Sequence, residues 1–176
     1  MSFQTKHGPN RSLPDCQSGF TLIELIITIT IFGILLAIAI PNLSSMVRNQ
    51  RVKTAAGDVY ASLAFARSEA IKRNANVGIC TSGDWATGWS IKSTDCSGTV
   101  LKQQDAVKGM NIQKPDGSAL GDLIFQRDGR LTATARTVIV VKSSEDSTTI
   151  ARCVTVDPSG RPNTKVDTDN DSTNGC

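Results

Sequence analysis

Apolar residues run almost unbroken from Phe20 to Ile40, and Glu24 is the only charge among these 21 residues. A helix of roughly 20 apolar residues crosses a bilayer core, so this run is long enough to span one. It is too long for the apolar region of a secretory signal, and no small-x-small cleavage site follows it. Past Pro41 the pattern changes. Val52, Ala56, Val59, Leu63, Ala66 and Ala70 recur at intervals of three and four, which marks one helical face. Arg48, Arg51, Lys53, Asp58, Arg67, Glu69 and Lys72 sit mostly off that stripe. Proline early in a helical segment bends the helix without ending it. The pattern predicts one helix from about Phe20 to about Arg73, roughly 80 Å long at 1.5 Å per residue. Its first half lies in lipid and its second half packs on a globular domain. Asn74-Ala75-Asn76 ends it.

From Val77 the helical period is gone. Short strand-like runs follow at 77–80, 88–91, 99–101, 111–112, 123–125, 137–141 and 152–156, separated by glycines, prolines and Asp/Ser/Asn clusters. Strands at this spacing predict two antiparallel sheets packed together. Pro115-Asp116-Gly117 and Asp128-Gly129 read as turns. The expected fold class is α+β: a long N-terminal helix, part anchor and part amphipathic, packed on an antiparallel two-sheet β domain.

A carboxylate inside a membrane span costs about 2.5–3.5 kcal/mol on insertion scales unless it has a partner. Glu24 is therefore a functional candidate. A cut between Gly19 and Phe20 would supply that partner, because the new Phe20 ammonium lies at the start of the same helix. The plainer reading is a chance glutamate near the headgroups of an ordinary signal anchor. Against it stands Gly19-Phe20-Thr21-Leu22-Ile23-Glu24, with Pro41 twenty-two residues into the cleaved chain. This arrangement closely resembles the class III signal of type IV pilins and type II secretion pseudopilins.

The resemblance implies roles for the matching residues. Residues 1–19 would be a prepilin leader, removed after Gly19 by a prepilin peptidase on the cytoplasmic side, and Phe20 would then be N-methylated. Glu24 would guide docking into a growing filament, and Pro41 would sit at a helix kink. Residues 20–43 would be the transmembrane half of the helix. Residues 44–176 would form the exported domain, with helix over 44–73 and β structure over 77–176. The leader is longer than many such leaders and lacks a basic residue beside Gly19. Lys6 and Arg11 supply its positive charge on the side that stays cytoplasmic.

Removing the leader leaves 157 residues (176 − 19), enough for one anchor and one domain. The formal charge falls from +3 to +2, since Lys6, Arg11 and Asp15 leave together. So weak a balance predicts no partner by itself. The five cysteines say more, because Cys16 lies in the leader. Cys80, Cys96, Cys153 and Cys176 remain as an even set on the non-cytoplasmic side, where disulfides persist. Four cysteines allow three connectivities, of which local pairing, Cys80 with Cys96 and Cys153 with Cys176, closes the shortest segments. Zinc is the competing use. The spacings are wide, no CxxC is present, and the sole histidine, His7, leaves with the leader.

Three later stretches narrow the family. They are Cys80-Thr81-Ser82-Gly83-Asp84-Trp85 with Gly88-Trp89 and Asp95, then Ile124-Phe125-Gln126-Arg127-Asp128-Gly129-Arg130, then Val156-Asp157-Pro158-Ser159-Gly160-Arg161. They resemble the globular domain of the GspH/FimT/FimU family of minor pilins and pseudopilins. Taken singly, Trp85 and Trp89 read as core and Gly129 as a turn, and these structural roles are compatible with the resemblance. It implies a single-pass protein of a bacterial inner membrane, its C-terminal domain in the periplasm. The protein would then join a pilus or pseudopilus. Its partners would be other minor and major pilins or pseudopilins, the prepilin peptidase and the inner-membrane assembly platform. The overall look of 153–162 and the cysteine-closed tail favour a FimU/FimT-type minor pilin that helps initiate or cap a type IV pilus. A GspH-like pseudopilin of type II secretion is the alternative.

No catalytic constellation is present. Without His7, Ser-His-Asp and Cys-His arrangements have no base, and the usual zinc sites lose a ligand. Gly129 and Gly160 are isolated turn glycines rather than parts of a GxxxxGK loop. The expectation is no enzyme, no cofactor and no metal. Asp167-Thr168-Asp169-Asn170-Asp171 resembles the start of a calcium loop but lacks its central glycine and terminal glutamate, and a polar tail is the preferred reading. DNA is a further candidate partner. FimT proteins of competent bacteria are implicated in DNA uptake through a basic GRxR motif, and Gly160-Arg161-Pro162-Asn163 keeps its first arginine alone. Arg161 and Lys165, joined by Arg127, Arg130, Arg136 and Arg152, would form such a patch. The preferred reading is scattered solvated arginines, because Asp167, Asp169 and Asp171 follow at once.

Overall fold

The structure of the chain is a computed structural model that describes residues 20–168, the side chains of residues 41 and 42 excepted. The expectations placed on Gly19, Asp169, Asp171 and Cys176 lie outside the described residues, whereas Pro41 lies within the long N-terminal helix. One helix, α1 (Leu22–Arg73), precedes eight strands. These are β1 (Val77–Thr81), β2 (Trp89–Ser93), β3 (Val100–Gln104), β4 (Met110–Gln113), β5 (Leu123–Phe125), β6 (Thr137–Ser143), β7 (Arg152–Val156) and β8 (Pro162–Val166). The chain divides into two compact units, Met1–Pro41 and Asn42–Cys176.

In the first unit the helix opens on a cap. Thr21 precedes α1, and its Oγ1 accepts a hydrogen bond from the Glu24 amide at 3.3 Å. A threonine followed three positions later by glutamate is the capping-box pattern, which satisfies amides that the first turn leaves without partners. Further along, the hydroxyls of Thr28 and Thr30 donate to the Glu24 and Ile26 carbonyls, so these polar groups are absorbed by the helix itself. Every described side chain from Phe20 to Ile40 is exposed. A helix apolar all round has to find its apolar surroundings outside the chain.

In the second unit α1 buries one stripe, and it is the one the spacing marks. Val52, Ala56, Val59, Leu63, Ala66 and Ala70 are each almost wholly removed from solvent, with Ala55 and Ser62 between them. Two strand layers meet this stripe in one core. The first sheet has the order β3-β2-β1-β5 and the second β4-β6-β7-β8. Every pairing is antiparallel. Alternate residues face inward: Val77 and Ile79, Trp89 and Ile91, Leu123 and Phe125 from the first sheet, and Ile112, Ile139, Val141 and Val154 from the second. Along β2, β4 and β5 the period of two is that of a sheet with one covered face, whereas Val140, Cys153 and Thr155 are also buried beside the inward residues of β6 and β7.

Polar anchors fix the layers. The indole of Trp89 donates to the buried Ser62 hydroxyl at 2.9 Å, tying β2 to the helix. Trp85, in the 3₁₀ turn Trp85–Thr87, donates to the Gly121 carbonyl at 3.3 Å. The two rings lie 5.2 Å apart at 33°. On the helix side of the β6–β7 connection, Arg48 pairs with Asp146 at 2.9 Å, and the Asn49 amide oxygen accepts from the Ile150 amide at 3.3 Å.

Cys80 and Cys96 form the expected disulfide, with their Cα atoms 5.7 Å apart. It lies on β1 at Gly78, where a Cβ would come within 2.7 Å of the Cys96 sulfur. Cys153 is disulfide-bonded as well, and Cys176, its expected partner, is outside the described residues.

Two differences from the sequence reading have physical causes. Glu69 sits on the buried stripe, 8% exposed, rather than off it. Arg73 Nε donates to it at 2.7 Å and Lys72 Nζ at 3.4 Å, so the burial is that of an ion pair. Strand β8 was not foreseen. It is an edge strand with a proline at its first position and no buried residue, so neither alternation nor apolar content announces it.

Candidate functional site

The N-terminal site is built by the first turn of α1. Glu24 stands at the third helical position, held there by the Thr21 cap. An acidic side chain in the first turn also complements the positive end of the helix dipole. Phe20 lies just ahead of the cap and is 81% exposed. Among the described residues of this unit Glu24 is the only charged side chain, so the polar chemistry of the span is concentrated at one end. Sequence reasoning found Glu24 but missed the cap; the Thr21-x-x-Glu24 spacing was the available signal.

The basic residues separate into two groups. One group gathers where two turns abut. Residues 126–130 close through a bond from the Gly129 amide to the Gln126 carbonyl at 2.8 Å, and residues 157–160 through one from the Gly160 amide to the Asp157 carbonyl at 2.7 Å. The Leu131 amide reaches across to the Pro158 carbonyl at 3.1 Å. Gly160 has φ +75°, and a Cβ there would overlap the Gly129 carbonyl. Gly129 in turn sits against Ile71 and Arg67 of α1. Stretches 31 residues apart in sequence (160 − 129) thus meet at one seam, with Arg130 and Arg161 one residue past each glycine and both exposed.

Lys165 belongs elsewhere, well along β8 opposite Cys153, and Arg152 is opposite Val166. Arg136 is engaged with Asp157 at 2.8 Å. The structure therefore puts Arg130 and Arg161 on two turns that abut, gives Arg136 an acidic partner, and puts Lys165 on the edge strand.

Acidic groups are used structurally. The Thr148 hydroxyl and amide, with Arg48 beside them, hold the Asp146 carboxyl below the usual carboxylate range. Arg73, and behind it Lys72, does the same for Glu69. Among the described residues no group of three or more His, Cys, Asp or Glu is placed to hold a metal ion.

A long helix, apolar at its N-terminal end, whose later half packs on antiparallel sheets is the architecture of a pilin-type subunit. The chain belongs to the GspH family of type II transport proteins, whose model matches residues 55–160. The prokaryotic N-terminal methylation motif matches residues 15–40. Among solved structures the fold is similar to the type IV minor pilin FimU of Pseudomonas aeruginosa (strain PAO1). The TM-score is 0.57 at 21% identity, covering 66% of this chain and 89% of that one. It is also similar to the minor pseudopilin EpsH of the Vibrio cholerae type 2 secretion system, with a TM-score of 0.51 at 14% identity, over 66% of this chain and 97% of that one. No curated protein matches the sequence.

Proposed function

We propose that the protein is a minor pilin that helps initiate or cap a type IV pilus, acting as a structural subunit rather than a catalyst. The observation that carries this reading is the single carboxylate, Glu24, carried on the capped first turn of an otherwise uncharged apolar span. Such a helix can leave lipid only for another apolar surface, and a lone acid offers that surface one electrostatic contact. In this reading residues 1–19 are removed after Gly19 and Phe20 is N-methylated. Residues 20–43 anchor the chain, and residues 44–176 form a periplasmic domain that meets other minor pilins. The description of FimU as a type IV minor pilin supports the pilus. The GspH family and EpsH support the second reading, a minor pseudopilin of type II secretion.

Deletion of the gene, scored for surface pili with twitching and for extracellular enzyme release, separates the two. Loss of pili with normal secretion is expected; loss of secretion with normal pili would move the subunit to the pseudopilus. Replacing Gly19 by a bulky residue is expected to leave the longer precursor on a gel, and unchanged processing would refute the cut. A DNA-binding role draws on one observation, the abutting turns that carry Arg130 and Arg161. No mobility shift at low salt would end it.

A further inference from the structure

In the second unit a groove of about 330 Å³ lies where α1 passes the β3–β4 connection. Val47 and Ala55 form its helical wall, and Val107 and Met110 form the other. One cation stands on each wall, Arg51 on the helix and Lys108 on the connection, and both are exposed. Asp58 also lines it, one helical turn beyond Thr54. Leu43 and Met46 extend the exposed apolar surface of α1 next to Val47. Lys53 adds a further exposed cation in the same stretch of helix, whereas Arg48 is committed to Asp146. Nothing in the proposed assembly role uses these residues.

The chemistry is that of an amphipathic anion: an apolar floor between two cations on opposing walls. Free phosphate would leave the floor unused, and an uncharged apolar helix would leave the cations unused. The sequence adds a tether. Val47 follows Ile40 by seven residues (47 − 40), a reach of at most ~25 Å of extended chain. With the apolar run in a bilayer, so short a tether keeps the groove within ~25 Å of the hydrocarbon boundary. Mixed cationic and apolar surface so close to a membrane is what binds anionic lipid.

We propose that this groove holds an anionic phospholipid, its acyl methylenes against Val47 and Val107 over the nearly buried Ala55 and Met110, and its phosphate between Arg51 and Lys108. The inference rests on the membrane-anchored reading. Occupancy would keep the domain on the bilayer surface until the subunit is taken up.

The test uses the full chain in nanodiscs of phosphatidylcholine, and of phosphatidylcholine with roughly 30% phosphatidylglycerol. Hydrogen exchange is followed over residues 104–110. Exchange is expected to be slower in the anionic discs by about 10- to 30-fold, the effect of two cations at an anionic surface. The difference should vanish in Arg51→Gln/Lys108→Gln and survive in Lys142→Gln, which changes a cation of β6 that does not line the groove. Equal exchange in both discs, with the chain incorporated, would overturn the proposal and leave the anchor standing. Failure to enter discs of either kind would remove the anchor and the proposal together. Protection that appears in both discs and grows with protein concentration would assign the groove to a neighbouring subunit and likewise overturn it.

Discussion

At Gly160 a single hydrogen in place of a side chain decides whether two turns can touch. Its φ of +75° is left-handed, and the Gly129 carbonyl occupies the place a Cβ would take. Gly160→Ala is expected to cost about 2–3 kcal/mol, read as a lowered urea midpoint of the detergent-solubilised chain. Glu69 shows what an ion pair does on a buried stripe. Its carboxyl is held below its ordinary value of 4.5 by Arg73 first. The folded state therefore binds that proton less readily than the unfolded chain does. The pair's contribution is full above about pH 4.5 and is lost as pH falls through the lower folded value. Melting temperature is expected to fall as pH is lowered below about 4.5, with a smaller slope in Glu69→Gln. An unchanged slope would show that the pair does not matter. Neither effect was legible in the sequence, where Gly160 was an ordinary turn residue and Glu69 a solvated charge. Both depend on what the fold brings next to them.

Elements were legible where burial is periodic. The α1 stripe could be read residue by residue because each position repeats the same requirement, an apolar side chain facing the sheets. The seven runs beyond Val77 each became a strand, although β3 and β6 continue into polar residues that no alternation marks. Strand β8 carries no such mark. An edge strand is held by its backbone pairing with β7, and backbone hydrogen bonds leave no trace in side-chain pattern. The Cys80–Cys96 bridge was read correctly as a local closure across a sequence separation of 16 residues. Loops of that size give about 3 kcal/mol. Cys80→Ser/Cys96→Ser is expected to lower the unfolding free energy by about 2–3 kcal/mol. Treatment of the double variant with reductant should then leave only the effect of the bridge at Cys153. A double variant as stable as wild type would mean that the β2–β3 connection is held by its hydrogen bonds alone.

At the scale of the whole molecule the two units follow different logic. The second closes on itself, while the first exposes every described side chain and is completed only by its surroundings. Glu24 connects both ideas, because its amide takes the Thr21 cap whatever the side chain is, while its charge is free for a partner. Glu24→Gln and Glu24→Ala are thus both expected to abolish incorporation into filaments, scored by immunoblot of sheared pili. If Gln alone were incorporated normally, the carboxylate charge would not be the recognition element. The anchor and its acid were the most legible parts of the chain, because a bilayer imposes one composition over a fixed length. The joined turns at Gly129 and Gly160 were not, since only the folded domain makes neighbours of them. The tryptophan pair carries a practical consequence. Trp85 and Trp89 are the chain's only two indoles, both buried and 5.2 Å apart. The anchor has none, so intrinsic fluorescence is a label-free reporter of the β domain that stays silent about the membrane segment. A red shift of that emission in detergent, nanodisc or sheared filament marks one event in all three settings: water reaching the core between the sheets and α1.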